Sequence, residues 1–356
     1  QHEELRREHY QGTTQRVVTY FQWVAEEIRE ILAQMGYERL EEIIGRHDLL
    51  TALPDAPLSL PILHSSQMQA EKRKKLYQQP RNPPADKGLL ANELIRQVQN
   101  TLKDNKSVRL IRNIQNHCRS IGANIAGFVA QQYKSDEIPS FLVTLKFRGI
   151  AGQSFAAWNV KGMHMILEGS ANDYVGKGMS GGSISIRRPQ TSSVDSHLYC
   201  LAGNTCLYGA TGGECYIDGQ TGERFAVRNS GANAVVIATG YHGCEYMTAG
   251  NVVILSTPSP NFAAGMSGGI IFVLDDQGVL QQRINPDMVS LIPINNTSDP
   301  QYRNLLKQML ITFLHRTRSP AGLKALQELE SATNRFMIVL PNTIEVPLIS
   351  TEEAPS

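Results

Sequence analysis

An excess of either charge is absent from this chain: 34 Lys and Arg stand against 33 Asp and Glu in 356 residues, a formal net charge of +1. That balance removes the electrostatic reason to expect a nucleic acid or an anionic membrane as partner. Long apolar runs are missing too, none approaching the roughly 20 residues that a membrane span needs. The five cysteines, Cys118, Cys200, Cys206, Cys215 and Cys244, are odd in number and show no CxxC spacing. Three of them, Cys206, Cys215 and Cys244, fall at expected interior positions, where free thiols behaving as small hydrophobes are favoured over a metal site, and a reducing, cytoplasmic compartment is expected. The first residues, Gln1-His2-Glu3-Glu4, have the character of neither a signal peptide nor a transit peptide. They include no initiator methionine, so the sequence is expected to be processed or part of something longer.

What the chain does have is a repeat. Gly-centred corners stand at Gly162, Gly181, Gly212, Gly231, Gly250 and Gly268, successively 19, 31, 19, 19 and 18 residues apart. A period near twenty residues fits a solenoid, in which each turn buries its apolar side against the next. The long interval holds Arg187 to His197, a polar, proline-containing stretch that reads as a loop extruded from one coil.

Register supports this. Six residues before the last five corners stand Val175, Cys206, Phe225, Cys244 and Phe262. Three residues after them come Ile184, Cys215, Ala234, Val253 and Ile271, and five after come Ile186, Ile217, Val236, Leu255 and Val273. Two-residue spacing puts the last two sets on one face of a strand, with Ser183, Ser185, Glu214 and Asn233 on the other. The fold expected is mainly β, a right-handed parallel β-helix of about six coils stacked roughly 4.8 Å apart, flanked by N- and C-terminal helices.

Outside the repeat, helices are expected over Gln15 to Met35, Glu38 to Ile44, Gly88 to Leu102, Tyr302 to Thr317 and Leu323 to Ser331. Strands are expected over Phe141 to Phe147 and Phe336 to Leu340. Pro54, Pro57, Pro61, Pro80, Pro83 and Pro84 make Asp48 to Asp86 irregular. The expected division is a helical segment over 1–47, a connector with a helix over 48–105, the β-helix over 106–285 and a helical tail over 286–356.

The segments Asn172 to Gly182, Tyr208 to Gly213, Gly222 to Gly231, His242 to Thr248 and Asn261 to Gly269 closely resemble the GXGXG domain of the glutamate synthase large subunit. Val17 to Leu50, with Phe21-Gln-Trp-Val-Ala-Glu-Glu27, looks like the end of that family's FMN-binding synthase barrel. Phe336 to Pro341 is similar to its terminal segment. One departure is Cys118, where the family run usually has aspartate. The resemblance implies an enzyme that forms glutamate from glutamine and 2-oxoglutarate using FMN and an iron–sulphur cluster. It also implies a β-helix that spaces the amidotransferase from the synthase domain. Those domains, or subunits supplying them, are the expected partners, with a small subunit as a further possibility. The nucleophilic cysteine, the cluster cysteines and a complete barrel have no counterpart here. No residue of this chain is thus expected to be catalytic, cofactor-binding or metal-ligating, and the chain alone is expected to be inactive.

Sharper local patterns compete with that reading. Gly176-Lys-Gly178-Met-Ser-Gly181 is a formal GxGxxG, but a dinucleotide fingerprint needs a following helix, whereas Ser183-Ile-Ser-Ile186 alternates as a strand. His242, Cys244 and Glu245 invite a metal or an acid–base pair, yet Cys244 is expected inward and Glu245 outward. Asp173, Glu214, Asp218 and Glu223 could form the acidic strip of a carbohydrate-cleaving β-helix, or simply serve corners and loops. Lys72-Arg-Lys-Lys75 could dock an acidic partner, or be a solvated connector. The alternatives kept beside the scaffold are a repurposed interaction module and a carbohydrate-active enzyme.

Overall fold

The computed structural model describes residues 12–44, 46, 49–50, 88–104, 106–133, 138–189 and 199–344. The chain divides into two compact units, Gln1–Pro84 and Ala85–Ser356. Most of the proline-rich connector, the Lys72 to Lys75 run and the extruded loop beyond Pro189 lie outside the described residues.

In the first unit, helix α1 (Thr14–Gln34) begins where the Thr13 hydroxyl accepts the Arg16 N–H, and Gly36 at φ +80° follows its end. The expected second helix is only a 3₁₀ turn, Leu40–Glu42. Seven residues are too few to offset helix nucleation without a packed face, and no residue of that turn is buried.

The second unit opens with α2 (Leu89–Lys103), β1 (Val108–Ile114), α3 (Ala123–Gln132) and β2 (Val143–Ala151). Six rungs follow, β3 (Met163–Ala171), β4 (Ser180–Arg187), β6 (Gly212–Thr221), β7 (Ser230–Thr239), β8 (Ala249–Ile254) and β9 (Ile270–Leu274), with short β5 (Cys200–Ala202) beside β3 and β6. All pairs from β1 to β9 are parallel. This is the β-solenoid of about six turns that the repeat predicts.

Two columns of side chains fill its interior. One runs Met165, Ile184, Cys215, Ala234, Val252, Ile271, and the other Leu167, Ile186, Ile217, Val236, Ile254, Val273, all fully buried. The expected register is therefore corrected at one coil: Val252 and Ile254 point inward, while Val253 and Leu255 join the outer face. Gly250 aligns with the second glycine of the other corners, Gly182, Gly213 and Gly269, whose φ values are likewise positive. Counting from it as a first glycine shifts every later position by one, and a one-residue shift exchanges the faces of a strand.

The outer face changes character along the stack. At the first rungs it is polar, with His164, Ser183 and Ser185. At the later ones Tyr216, Val235, Ile237, Val253 and Phe272 form a second core under α4 (Pro300–Thr317), α5 (Pro320–Glu330) and β11 (Phe336–Pro341). The stack ends where β11 runs antiparallel to β9, followed by antiparallel β10 (Val289–Pro293), a strand the sequence pattern missed.

Opposite the strands, every coil carries three residues of positive φ at alternating positions. They are Ser154, Ala156 and Trp158; Tyr174, Gly176 and Gly178; Thr205, Leu207 and Gly209; Arg224, Ala226 and Arg228; His242, Cys244 and Tyr246; and Asn261, Ala263 and Gly265. In all six coils the carbonyl of the middle residue accepts the N–H three residues on, as from Ala156 to Asn159 and from Cys244 to Met247. A positive φ at the third residue of such a turn is the type II signature. The first and third N–H groups bond to the next coil, as Arg224 does to Tyr241 O and Arg228 to Glu245 O. The middle one bonds back, as Ala226 does to Cys206 O. This network holds ordinary side chains where glycine is favoured, at a cost of about 1–2 kcal/mol per residue. Arg228 is exposed there. Arg228→Gly is accordingly expected to stabilise the chain by about 0.5–1 kcal/mol, part of the relief being offset by the entropy of a more flexible unfolded chain. Urea denaturation followed by circular dichroism measures this, and a loss of stability would refute the strain argument.

Candidate functional site

Gly176 and Gly178, with φ of +63° and +64°, are turn residues of one coil. Their N–H groups bond Phe155 O at 3.0 Å and Tyr208 O at 2.9 Å, and the strand β4 follows rather than a helix. Both donors that a phosphate loop would present are already engaged.

His242 Nδ1 and Glu245 Oε1 meet at 2.7 Å on the surface, while Cys244 is fully buried and burial pushes its thiol pKa up. The pair forms, but the thiol faces away from it. Cys206 and Cys215 are raised by burial in the same way, Cys206 to about 12, which suits packing rather than thiolate chemistry. Among the described residues no group of three or more His, Cys, Asp or Glu is placed to hold a metal ion. Cys118 lies in a turn whose carbonyl accepts the Gly152 N–H at 3.1 Å, a backbone contact that needs no carboxylate at residue 118.

Three of the four carboxylates of the acidic strip, Asp173, Asp218 and Glu214, are engaged one by one. Asp173 Oδ1 accepts the Asn204 N–H at 2.7 Å, and Asp218 pairs with Arg188 at 3.4 Å. Glu214 faces Arg316 at 4.0 Å, and Glu223 is exposed at a corner where Asn204 Oδ1 accepts its N–H. Corner and loop bonding accounts for them.

The densest polar constellation is one the patterns did not single out. Arg148, Glu168 and Arg187 occupy one register column across β2, β3 and β4. Glu168 Oε1 takes Lys146 Nζ at 2.9 Å and also Arg187, while Oε2 takes Arg148 at 3.1 Å. The signal was available: applying the coil period to charged residues aligns 148, 168 and 187. Burial pushes the Glu168 pKa up, yet the hydrogen bonds from Lys146, Arg187 and Arg148 outweigh it and hold the pKa at about 2. A folded pKa below the ordinary 4.5 means that the unfolded chain binds the proton more readily, so this contribution is full above pH 4.5 and lost as pH falls toward 2. Glu168→Gln should flatten the acid limb of melting temperature against pH within that window; an unchanged limb would show that the hub contributes nothing to acid stability.

Nearby, His164 is buried, stacked on Phe141 at 4.4 Å, with Nδ1 2.7 Å from the Ser183 hydroxyl and Nε2 2.6 Å from Ser140 O. Because a carbonyl only accepts, Nε2 carries the hydrogen. Burial lowers the His164 pKa, so the ring is neutral and structural.

A cavity of about 780 Å³ opens beside the hub, lined by Lys146, Arg148, Glu168 and Arg187, with Arg318 among its other walls.

Comparison with known proteins places these features in a lineage. The model of the family described as "GXGXG motif" matches residues 90–342. Over 95% of its length the chain is 38% identical to "Ferredoxin-dependent glutamate synthase 2" of Synechocystis sp., of which it covers 22%. It is 36% identical over 99% of its length to "Glutamate synthase [NADPH] large chain" of Bacillus subtilis, covering 23% of that protein. It is also 36% identical over 97% of its length to "Glutamate synthase [NADH]" of Schizosaccharomyces pombe, covering 16%. The chain thus spans roughly a fifth of the length of the curated relatives it matches.

Proposed function

This chain belongs to the GXGXG-motif family, and from that premise we propose that it is the β-helix scaffold domain of a glutamate synthase. It spaces an amidotransferase from an FMN-dependent synthase domain and is inactive by itself. The observation that carries the reading is the match along nearly the whole chain to a partial stretch of glutamate synthases of three electron-donor types. A parallel stack suits spacing. Six rungs at roughly 4.8 Å make a rod of about 25 Å whose length is set by backbone hydrogen bonds rather than by loops.

In this reading residues 1–47 are the end of the barrel and 48–105 the connector beyond it. FMN and the iron–sulphur cluster belong to the rest of the enzyme, and the partners are its amidotransferase and synthase parts. Free cysteines at five positions suit the cytoplasm.

Purification of the native protein with an antibody to this chain tests the reading. The expected product is a polypeptide several times the 39.4 kDa of this chain, or a complex, with flavin absorbance and glutamine-dependent glutamate formation that the 356-residue chain alone lacks. A native polypeptide near 39.4 kDa without flavin or a synthase partner would overturn it.

A further inference from the structure

The cavity beside Glu168 carries more positive charge than its geometry uses. Among the described residues, Lys146, Arg148, Arg187 and Arg318 line it against one carboxylate, Glu168, a local surplus of three positive charges in a chain whose total is only +1. Three of the cations are fixed by Glu168, so they are held in place with donors to spare, since each guanidinium has five and the ammonium three. Arg187 is largely buried and pinned by its contact with Glu168.

Arg318 reaches the cavity from the tail. It ends α4 in the left-handed conformation, φ +60°, with its N–H bonded to Leu314 O. That is the helix-ending position where glycine is most usual. Arg318 thus adds a fourth cation to the lining, at a backbone position that glycine or asparagine could occupy without strain. The remaining wall includes the apolar Ile150, Pro189 and Leu201 and the Tyr199 ring, with Ser170 and Cys200 beside them. The volume, about 780 Å³, falls in the range of small-molecule sites.

We propose that this cavity is a binding site for a small phosphate monoester of nucleotide size. Its phosphate would lie among Lys146, Arg148, Arg187 and Arg318, and its apolar body against Ile150 and Tyr199. Guanidinium groups match phosphate with paired hydrogen bonds, which favours phosphate over a lone carboxylate. The site is independent of the scaffold reading, because it rests on side chains of the solenoid and of the tail helix α4.

The test is isothermal titration of the 356-residue chain at low salt with four probes, AMP, inorganic phosphate, adenosine and succinate. AMP is expected to bind with a Kd of about 1 mM or tighter, phosphate more weakly, and adenosine not at all. Arg318→Gly and Arg318→Asn both suit a left-handed backbone. Each should weaken AMP binding by about tenfold or more, at a melting temperature no lower than that of the parent chain. That combination separates loss of a ligand contact from loss of fold. The proposal is overturned if neither phosphate compound saturates by about 10 mM, if Arg318→Gly binds AMP unchanged, or if succinate binds more tightly than AMP.

Discussion

Replacing Gly169 by alanine is expected to destabilise the second unit by about 4 kcal/mol or more, a large fraction of the about 5–15 kcal/mol that holds a typical domain folded. Gly169 sits in β3 at φ +148°, and a Cβ built there would stand 1.8 Å from Gly149 O. Gly149 itself has φ +124° and a Cβ position 2.2 Å from Ile114 O. Ile114, Gly149 and Gly169 are register partners in β1, β2 and β3, so three backbones approach each other along one line. A side chain at the middle or end of that line must both adopt an unfavourable φ, about 1–3 kcal/mol, and push a paired strand aside, about 1–3 kcal/mol more. Gly278→Ala separates the two effects. Its φ is +66° and nothing lies within 4 Å of the new Cβ, so only the backbone term, about 1 kcal/mol, should appear. Chemical denaturation of both variants decides. A loss at Gly169 no larger than at Gly278 would show that the three strands can part without strain.

Asn229→Ala is expected to cost about 3 kcal/mol, the second largest effect. Of the six corners that lead into the rungs, five carry a glycine of positive φ, namely Gly162, Gly182, Gly213, Gly250 and Gly269. The corner before β7 has Ala232 instead. There the fully buried Asn229 side chain does the work of holding the turn. Its Nδ2 donates to Ala232 O at 2.9 Å, and its Oδ1 accepts the N–H groups of Ala232 at 2.9 Å and Gly231 at 3.3 Å. Alanine would strand these backbone groups away from water, and each unsatisfied group costs about 1–3 kcal/mol. Protonated Asn229→Asp keeps the acceptor and has an O–H to donate to Ala232 O, whereas its carboxylate would bury an unpaired charge against that carbonyl, so this variant should be less damaging than alanine only below the carboxyl's pKa. Melting temperatures of the two variants at acid and neutral pH test the assignment; an Asp variant no better than alanine at acid pH would mean that these bonds contribute little.

Much of this fold was legible because the interior of a solenoid is written in side chains. Ile184, Cys215, Ala234 and Ile271 recur at a fixed distance from the corner glycines, and the structure stacks them as that period predicts. The slip at Gly250 has a simple cause. Other corners carry adjacent glycines, Gly181-Gly182, Gly212-Gly213 and Gly268-Gly269, and a lone glycine does not declare which of the two it matches. The left-handed turns were hidden for a deeper reason. Only Gly176, Gly178, Gly209 and Gly265 mark them as glycine, and the other positions carry residues such as Trp158, Leu207 and Arg228 whose local preference is against positive φ. There the inter-coil hydrogen bonds override propensity, and no single coil reveals it. The Glu168 hub escaped notice because its members lie in different coils and no local spacing joins them, although the coil period does. The second core was missed likewise, since Tyr216 and Phe272 meet Phe313 only after the tail folds back over the stack.

The antiparallel ending of the stack bears on how the molecule behaves in a crowd of its own kind. A parallel ladder offers its last strand as a template, and nothing in β9 alone would stop a second molecule from continuing it. Here β11 occupies that edge in the opposite sense, β10 covers β11, and β10 finishes at Pro293, which has no N–H to offer. The chain thus carries its own terminator against end-to-end polymerisation. A version cut after Leu274 would lose it and should grow into fibres.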